Sequence, residues 1–85
     1  MSITKHASTR MQQRGIPLLV VELIMTFGAS EPAGSGTQKF FLDKRARHKV
    51  KSFAGTLASA IEPLLDAYVL VSDQGTVITT AHRTE

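Results

Sequence analysis

The chain has 85 residues, enough for one domain and one hydrophobic core. It contains no cysteine, which excludes disulfides, thiolate catalysis and cysteine-ligated zinc and leaves burial alone to hold the fold. The formal net charge is +3 and the isoelectric point is near 9.7, a balance compatible with phosphate-bearing partners but not selective for them.

In chain order, Ser2 or Thr4 is placed to cap a first helix that runs to about Gln13. Ile3, Ala7 and Met11 recur every four residues as a narrow apolar stripe, and His6, Arg10 and Arg14 repeat with the same spacing on the adjoining face. Gly15 ends this helix, because glycine enters the left-handed C-cap conformation without steric cost. Pro17 suits the first turn of a second helix reaching residue 27. That helix is apolar nearly all round, Glu22 and Thr26 excepted. In so small a chain it forms either the centre of the core or half of a dimer interface. The stretch 16–27 is too short to span a bilayer. The N-terminus lacks the charged-then-apolar pattern of a secretory signal. A cytoplasmic protein with no membrane contact is expected.

Residues 29–37 have the composition of an exposed, mobile connection. Residues 38–42 form a phenylalanine-rich strand, after which Asp43 caps a third helix. Ala46, Val50, Phe53, Ala54, Leu57, Ala58 and Ile61 follow helical spacing, and Pro63 disfavours helical geometry at Glu62. A strand over Val50 and Phe53, ending at Gly55, is the competing reading; the helix is expected. Segments 68–72 and 76–82 are β-branched and aromatic, and they flank Asp73-Gln74-Gly75, which suits a bulged hairpin turn. Simple alternation puts Val69, Val71, Val77, Thr79 and Ala81 on one face, and Tyr68, Leu70, Ile78, Thr80 and His82 on the other. The expected fold is α+β, a single domain over 1–85. It has two N-terminal helices, a strand, a third helix and a C-terminal β-hairpin, and the helices lie on one face of a small antiparallel sheet.

Three groups of residues bear on function. His6, Arg10 and Arg14 stand four apart on one helix, where the arginines repel by roughly 0.2–0.5 kcal/mol unless an anion lies between them. A phosphate suits them, because guanidinium binds its oxygens in pairs. The structural alternative is that they pair with Glu22, Asp66 or Asp73 and knit the helix to the sheet. The second group is Lys39 with Lys44, Arg45, Arg47, His48, Lys49 and Lys51. Its helical part sits in the first half of the third helix, where the macrodipole disfavours cations and a bound polyanion would compensate; the alternative is a solvated face. Phe40, Phe41 and Tyr68 are the nearby candidates for base stacking. The third group is the final strand, Thr79-Thr80-Ala81-His82-Arg83, which pairs a proton carrier with an anion clamp. Metal-independent RNA cleavage needs a base for the ribose hydroxyl, an acid for the leaving oxygen, and cations on the phosphorane. No metal-ligand spacing, dinucleotide or P-loop glycine pattern, or serine elbow occurs, so no metal and no cofactor is expected.

The stretch His6-Ala7-Ser8-Thr9-Arg10-Met11-Gln12-Gln13-Arg14-Gly15-Ile16 resembles the opening signature, His-Ala-x-x-Arg-Met-x-x-Arg-Gly-Ile, of a small bacterial family of unknown function. Members tend to end in a hairpin similar to Val69-Leu70-Val71 followed by Val77-Ile78-Thr79-Thr80-Ala81. That family is grouped with RelE/ParE-like toxins and with small metal-independent ribonucleases. By position, the resemblance implies a RelE-like domain whose site uses His6, Arg10 and Arg14 from the motif and Thr79 and His82 from the last strand. The leading expectation is therefore a toxin-like endoribonuclease or an RNA-binding relative of one. His6 and His82 would be its proton carriers, and Arg10, Arg14 and Arg83 would hold the phosphate. Lys44, Arg45, Arg47, Lys49 and Lys51 would steer the RNA, and an antitoxin would be its protein partner. The alternative is a non-enzymatic interaction module that dimerises through the second helix.

Overall fold

The computed structural model describes residues 1–83. Its first element is not a helix. Ser2–Ile3 form a two-residue strand, β1, parallel to the last strand, with Ser2 beside Thr76 and Ile3 beside Val77. The Thr4 hydroxyl donates to the Ile78 carbonyl at 3.1 Å and accepts the Ala7 amide at 3.1 Å. Thr4, not Ser2, therefore caps α1, Lys5–Arg14. Gly15 closes it at φ 63. α2, Leu18–Phe27, starts immediately after Pro17. Val20, Val21, Leu23 and Ile24 are buried. Each contributes roughly 1.5–3 kcal/mol relative to exposure, which makes α2 the centre of the core.

Residues 29–37 are not a loop. Ala29–Gly34 form β2, antiparallel to β3, Thr37–Phe41. Ser35 and Gly36 join them at φ 53 and 75, and positive φ at both central residues is the mark of a type I′ hairpin. β2 is an edge strand, and its register slips between Pro32 and Gly34. Proline is tolerated on edges and at bulges, where a missing N–H and a bent backbone cost least.

Asp43 caps α3, Lys44–Ala54, accepting the Ala46 amide at 2.8 Å. α3 ends at Ala54 instead of near Ile61, because Gly55 adopts φ 59, ψ −123, a conformation that a side chain makes strained. The short turns Gly55–Leu57 and Glu62–Leu64, with the one-turn α4, Ala58–Ile61, between them, carry the chain to β4, Ala67–Ser72. Of the expected apolar stripe, Ala46, Val50 and Ile61 are buried, whereas Phe53 and Leu57 are exposed.

Among the described residues the sheet has five strands in the order β1-β5-β4-β3-β2, with β5 at Thr76–His82. It is mixed, because β1 runs parallel to β5 while every other pair is antiparallel. β4 and β5 are joined through Gly75 at φ 84, but they do not stand as a separate closing hairpin: β4 is the central strand. Their alternation is also broken. Leu70 lies opposite Thr79 and Val71 opposite Val77, so Ile78 is the extra residue of a β-bulge. A one-residue slip exchanges faces. Thr80 and His82 therefore join Ala67, Val69, Val71 and Val77, and Thr79 and Ala81 move to the side of Tyr68 and Leu70. Thr80 is fully buried and satisfied, its hydroxyl donating to the Tyr68 carbonyl at 2.7 Å. α1 runs along β5, α2 lies against β3 and β4, and α3 packs on α2. Among the described residues the helices thus occupy the Val69 side of the sheet, and none lies over the Tyr68 side, the open face.

Candidate nucleic-acid interface

α1 and β5 lie side by side, as a site shared between the two ends of the chain requires. What they hold in common is not a pocket of unpaired cations. His82 points to the helix side, where Nδ1 lies 2.8 Å from Asp66 Oδ1 and Nε2 lies 3.1 Å from the Arg14 carbonyl oxygen. Both ring nitrogens are therefore occupied by protein acceptors. The Asp66 hydrogen bond raises the His82 pKa, and so do the Arg14 carbonyl and the Asp66 charge, while partial burial and the Arg14 charge oppose the rise. An imidazole held this way fastens elements together, with both nitrogens turned to protein oxygens.

The remaining residues of the expected catalytic set are spread over two sides of the sheet. Arg14 meets His82 only through its backbone carbonyl. The side chains of His6, Arg10 and Arg14 have no hydrogen-bonded or ion-paired partner among the described residues. The expected pairing of the arginines with Glu22, Asp66 or Asp73 is thus not formed there, and Asp66 binds His82 instead. Arg83 follows His82 directly, so it projects to the opposite face. Its amide donates to the Asp66 carbonyl at 2.9 Å, and its guanidinium carbon stands 4.9 Å from the centre of the Phe41 ring.

The basic residues of α3 are on the helix side as well, since α3 packs on α2. Lys51 is paired with Glu62 at 2.9 Å, and Arg47 donates from Nε to the Leu42 carbonyl at 3.3 Å. Lys44, Arg45 and Lys49 are exposed and have no ion pair among the described residues. Lys39 is separate from this run. It lies on β3, on the open face, with Nζ 4.9 Å from the centre of the Tyr68 ring.

The open face brings together four side chains that are scattered in sequence. Phe41 and Tyr68 are register partners on adjacent strands, and Lys39 sits opposite Leu70. Lys39 leans over one ring and Arg83 over the other. Lys39, Tyr68, Leu70 and Arg83 line a shallow depression of about 380 Å³. A cation above an aromatic face is worth roughly 0.5–1 kcal/mol at an exposed site, so either can be displaced by a better partner. The sequence signal for this grouping is the i, i+2 spacing of Lys39 and Phe41 on one strand; their placement beside Tyr68 depends on β3–β4 register.

Among the described residues no helix is long and apolar enough to cross a membrane, and no three His, Asp or Glu side chains converge as a metal site. Fold and surface together define an α+β domain with one covered and one uncovered sheet face. The chain matches no family model, no curated protein and no solved structure.

Proposed function

We propose that this chain is an RNA-binding domain, a non-cleaving relative of small metal-independent ribonucleases, and that a single strand lies on the open sheet face. The observation that carries this reading is the paired arrangement of Lys39 over Tyr68 and Arg83 over Phe41 on a face that no helix covers. A base stacks on either ring when the cation swings aside, and the displaced cation then meets the adjoining phosphate. Lys44, Arg45 and Lys49 on α3 and Arg10 and Arg14 on α1 add to a positive field that draws in a polyanion from a distance. The N-terminal motif supports the same class of ligand through its resemblance to the toxin-like family. In that setting an antitoxin-type protein would compete for the open face. Binding is favoured over cleavage because both nitrogens of His82 are engaged.

The test is fluorescence anisotropy with a 12-nucleotide oligouridylate and with a duplex of equal length. Single-strand affinity should fall with salt at a log–log slope of about −0.7 per neutralised phosphate. Tyr68→Ala should weaken binding by about 1–3 kcal/mol. Lys39→Ala and Arg83→Ala should each flatten the salt slope, and the oligonucleotide should remain intact throughout. Absence of binding at low salt, or affinity indifferent to all three substitutions, defeats the reading.

A second reading has its own observation. Leu18, Leu19, Phe53 and Leu57 are 44, 51, 72 and 59% exposed, and Leu19, Leu23, Phe53, Leu57 and Ile61 line one apolar groove of about 140 Å³. Clustered exposed apolar surface marks association sites, which favours a module that pairs with a second copy through α2 and the end of α3.

A further inference from the structure

We propose that His82 is a proton-dependent clasp that fastens the C-terminal end of α1 to the sheet end formed by β4 and β5, closed when the ring carries two protons and half-open when it carries one.

Donors and acceptors around the ring set this requirement. The last four carbonyls of a helix have no partner within it. Arg14 is the last residue of α1, and its carbonyl oxygen lies 3.1 Å from His82 Nε2. On the other side of the ring, Asp66 Oδ1 lies 2.8 Å from Nδ1. A carbonyl oxygen and a carboxylate both accept and neither donates. Neutral imidazole has one N–H and one lone pair, so one of these two contacts must then set a lone pair against an oxygen. Imidazolium donates to both. The negative end of the α1 dipole favours the same charge state.

The charged groups around the ring come from three elements. Asp66, in the turn before β4, attracts the proton, and Arg14 on α1 opposes it. Arg83, next along β5, turns its guanidinium to the far face over Phe41. The Asp66 acceptor outweighs the opposing effects and holds the His82 pKa above the ordinary histidine value. A raised folded pKa sets the sign: the stabilising contribution is complete below the unfolded histidine value and is lost as pH rises through the folded one. What loosens is specific. Asp66 also accepts the Arg83 amide through its carbonyl, at 2.9 Å, and the Ile16 amide closes the end of α1 on Met11 at 2.9 Å. Losing either contact uncouples α1 from the sheet end, so the hydrogen bonds on both sides of this joint open more readily while the centre of the sheet is untouched. Arg14 and Arg83 leave their positions together, one on each side of the sheet. The consequence for RNA affinity rests on the proposed RNA-binding reading; the clasp itself does not.

The experiment is a pH titration of the wild-type chain by NMR, following the His82 ring nitrogens and the amide protection factors of Ile16, Arg83 and, as an internal control, Val69. Expected are a doubly protonated ring at low pH and a midpoint above that of an unfolded histidine. Protection at Ile16 and Arg83 should fall by about threefold or more through that midpoint, as local opening does, with Val69 constant once referenced to intrinsic exchange. Asp66→Asn, which keeps the shape and removes the charge, should lower the midpoint, and His82→Phe should make Ile16 and Arg83 protection independent of pH. A wild-type midpoint at or below the unfolded value, or protection flat across it, overturns the clasp whatever the variants do. Oligouridylate anisotropy at the two pH extremes separates the two ideas. Absence of binding with the titration intact sinks only the RNA reading, and binding with a flat protection profile sinks only the clasp.

Discussion

Replacing Gly28 with alanine tests how α2 is joined to the sheet. Gly28 follows the last residue of α2 and has ordinary extended dihedrals, φ −74 and ψ 162, so an alanine there meets no backbone penalty. The obstacle is space. A Cβ built at Gly28 collides with the Ile24 carbonyl oxygen and comes within 2.7 Å of the Phe41 carbonyl oxygen. Both are backbone atoms. The first also accepts the Gly28 amide at 2.8 Å, so relief requires moving the end of α2 away from β3. Overpacking against movable side chains costs about 1–3 kcal/mol; two fixed carbonyls place this substitution at or above the top of that range, about 3 kcal/mol or more. For a domain of this size that is a fall in Tm of roughly 12–24 °C, at about 4–8 °C per kcal/mol. Urea denaturation read by circular dichroism measures it directly. Gly15→Ala is the control, because Gly15 lies at φ +63 with nothing within 4 Å of the added Cβ. It should cost about 1–2 kcal/mol from the left-handed backbone alone. A loss below about 1 kcal/mol at Gly28, or a greater loss at Gly15 than at Gly28, refutes the close-approach argument.

Thr80→Val keeps the volume of a fully buried side chain but removes the hydroxyl that donates to the Tyr68 carbonyl at 2.7 Å. It should destabilise by about 0.5–1.5 kcal/mol, with no gain from the added methyl; an increase in the urea midpoint contradicts the face assignment that the bulge imposes. For the second functional reading, the double substitution Leu19→Ser and Phe53→Ser removes the most exposed apolar side chains on α2 and α3. Stability should fall by about 0.5–1.5 kcal/mol, chiefly from loss of the Phe53 ring that packs on Phe27 with 5.3 Å between centroids. Sedimentation equilibrium should then find only monomer; a wild-type chain that is already monomeric at high concentration removes that reading.

Much of the local structure was legible in the residues. Asp43 and Gly15 act as the caps their positions predicted, because capping depends on bonds only three or four residues away. The apolar run of α2 is core, as one of its two readings required, and Leu18 and Leu19 on its outer side keep the other reading as a proposal. β2 is not legible in its residues, because Ala-Ser-Glu-Pro-Ala-Gly carries almost no strand preference. Its pairing with β3 holds it, and the Ser35-Gly36 turn was the one local hint. The end of α3 is hidden in the sequence because apolar spacing continues past Gly55, while the break lies in a single glycine's dihedral angles.

The candidate sites divide along the same line. By itself the sequence determined which residues carry charge, which aromatic rings are near in the chain, and which side chains share one turn of α1. Only the tertiary structure decided the partners. A bulge at Ile78 carries Thr80 and His82 to the covered side. It gives the histidine Asp66 and the end of α1, and it leaves Arg83 above Phe41 on the uncovered side. Helix contacts recur at a spacing written in the chain. Strand register, in contrast, joins residues far apart in sequence, and a slip of a single position exchanges the two faces of the sheet.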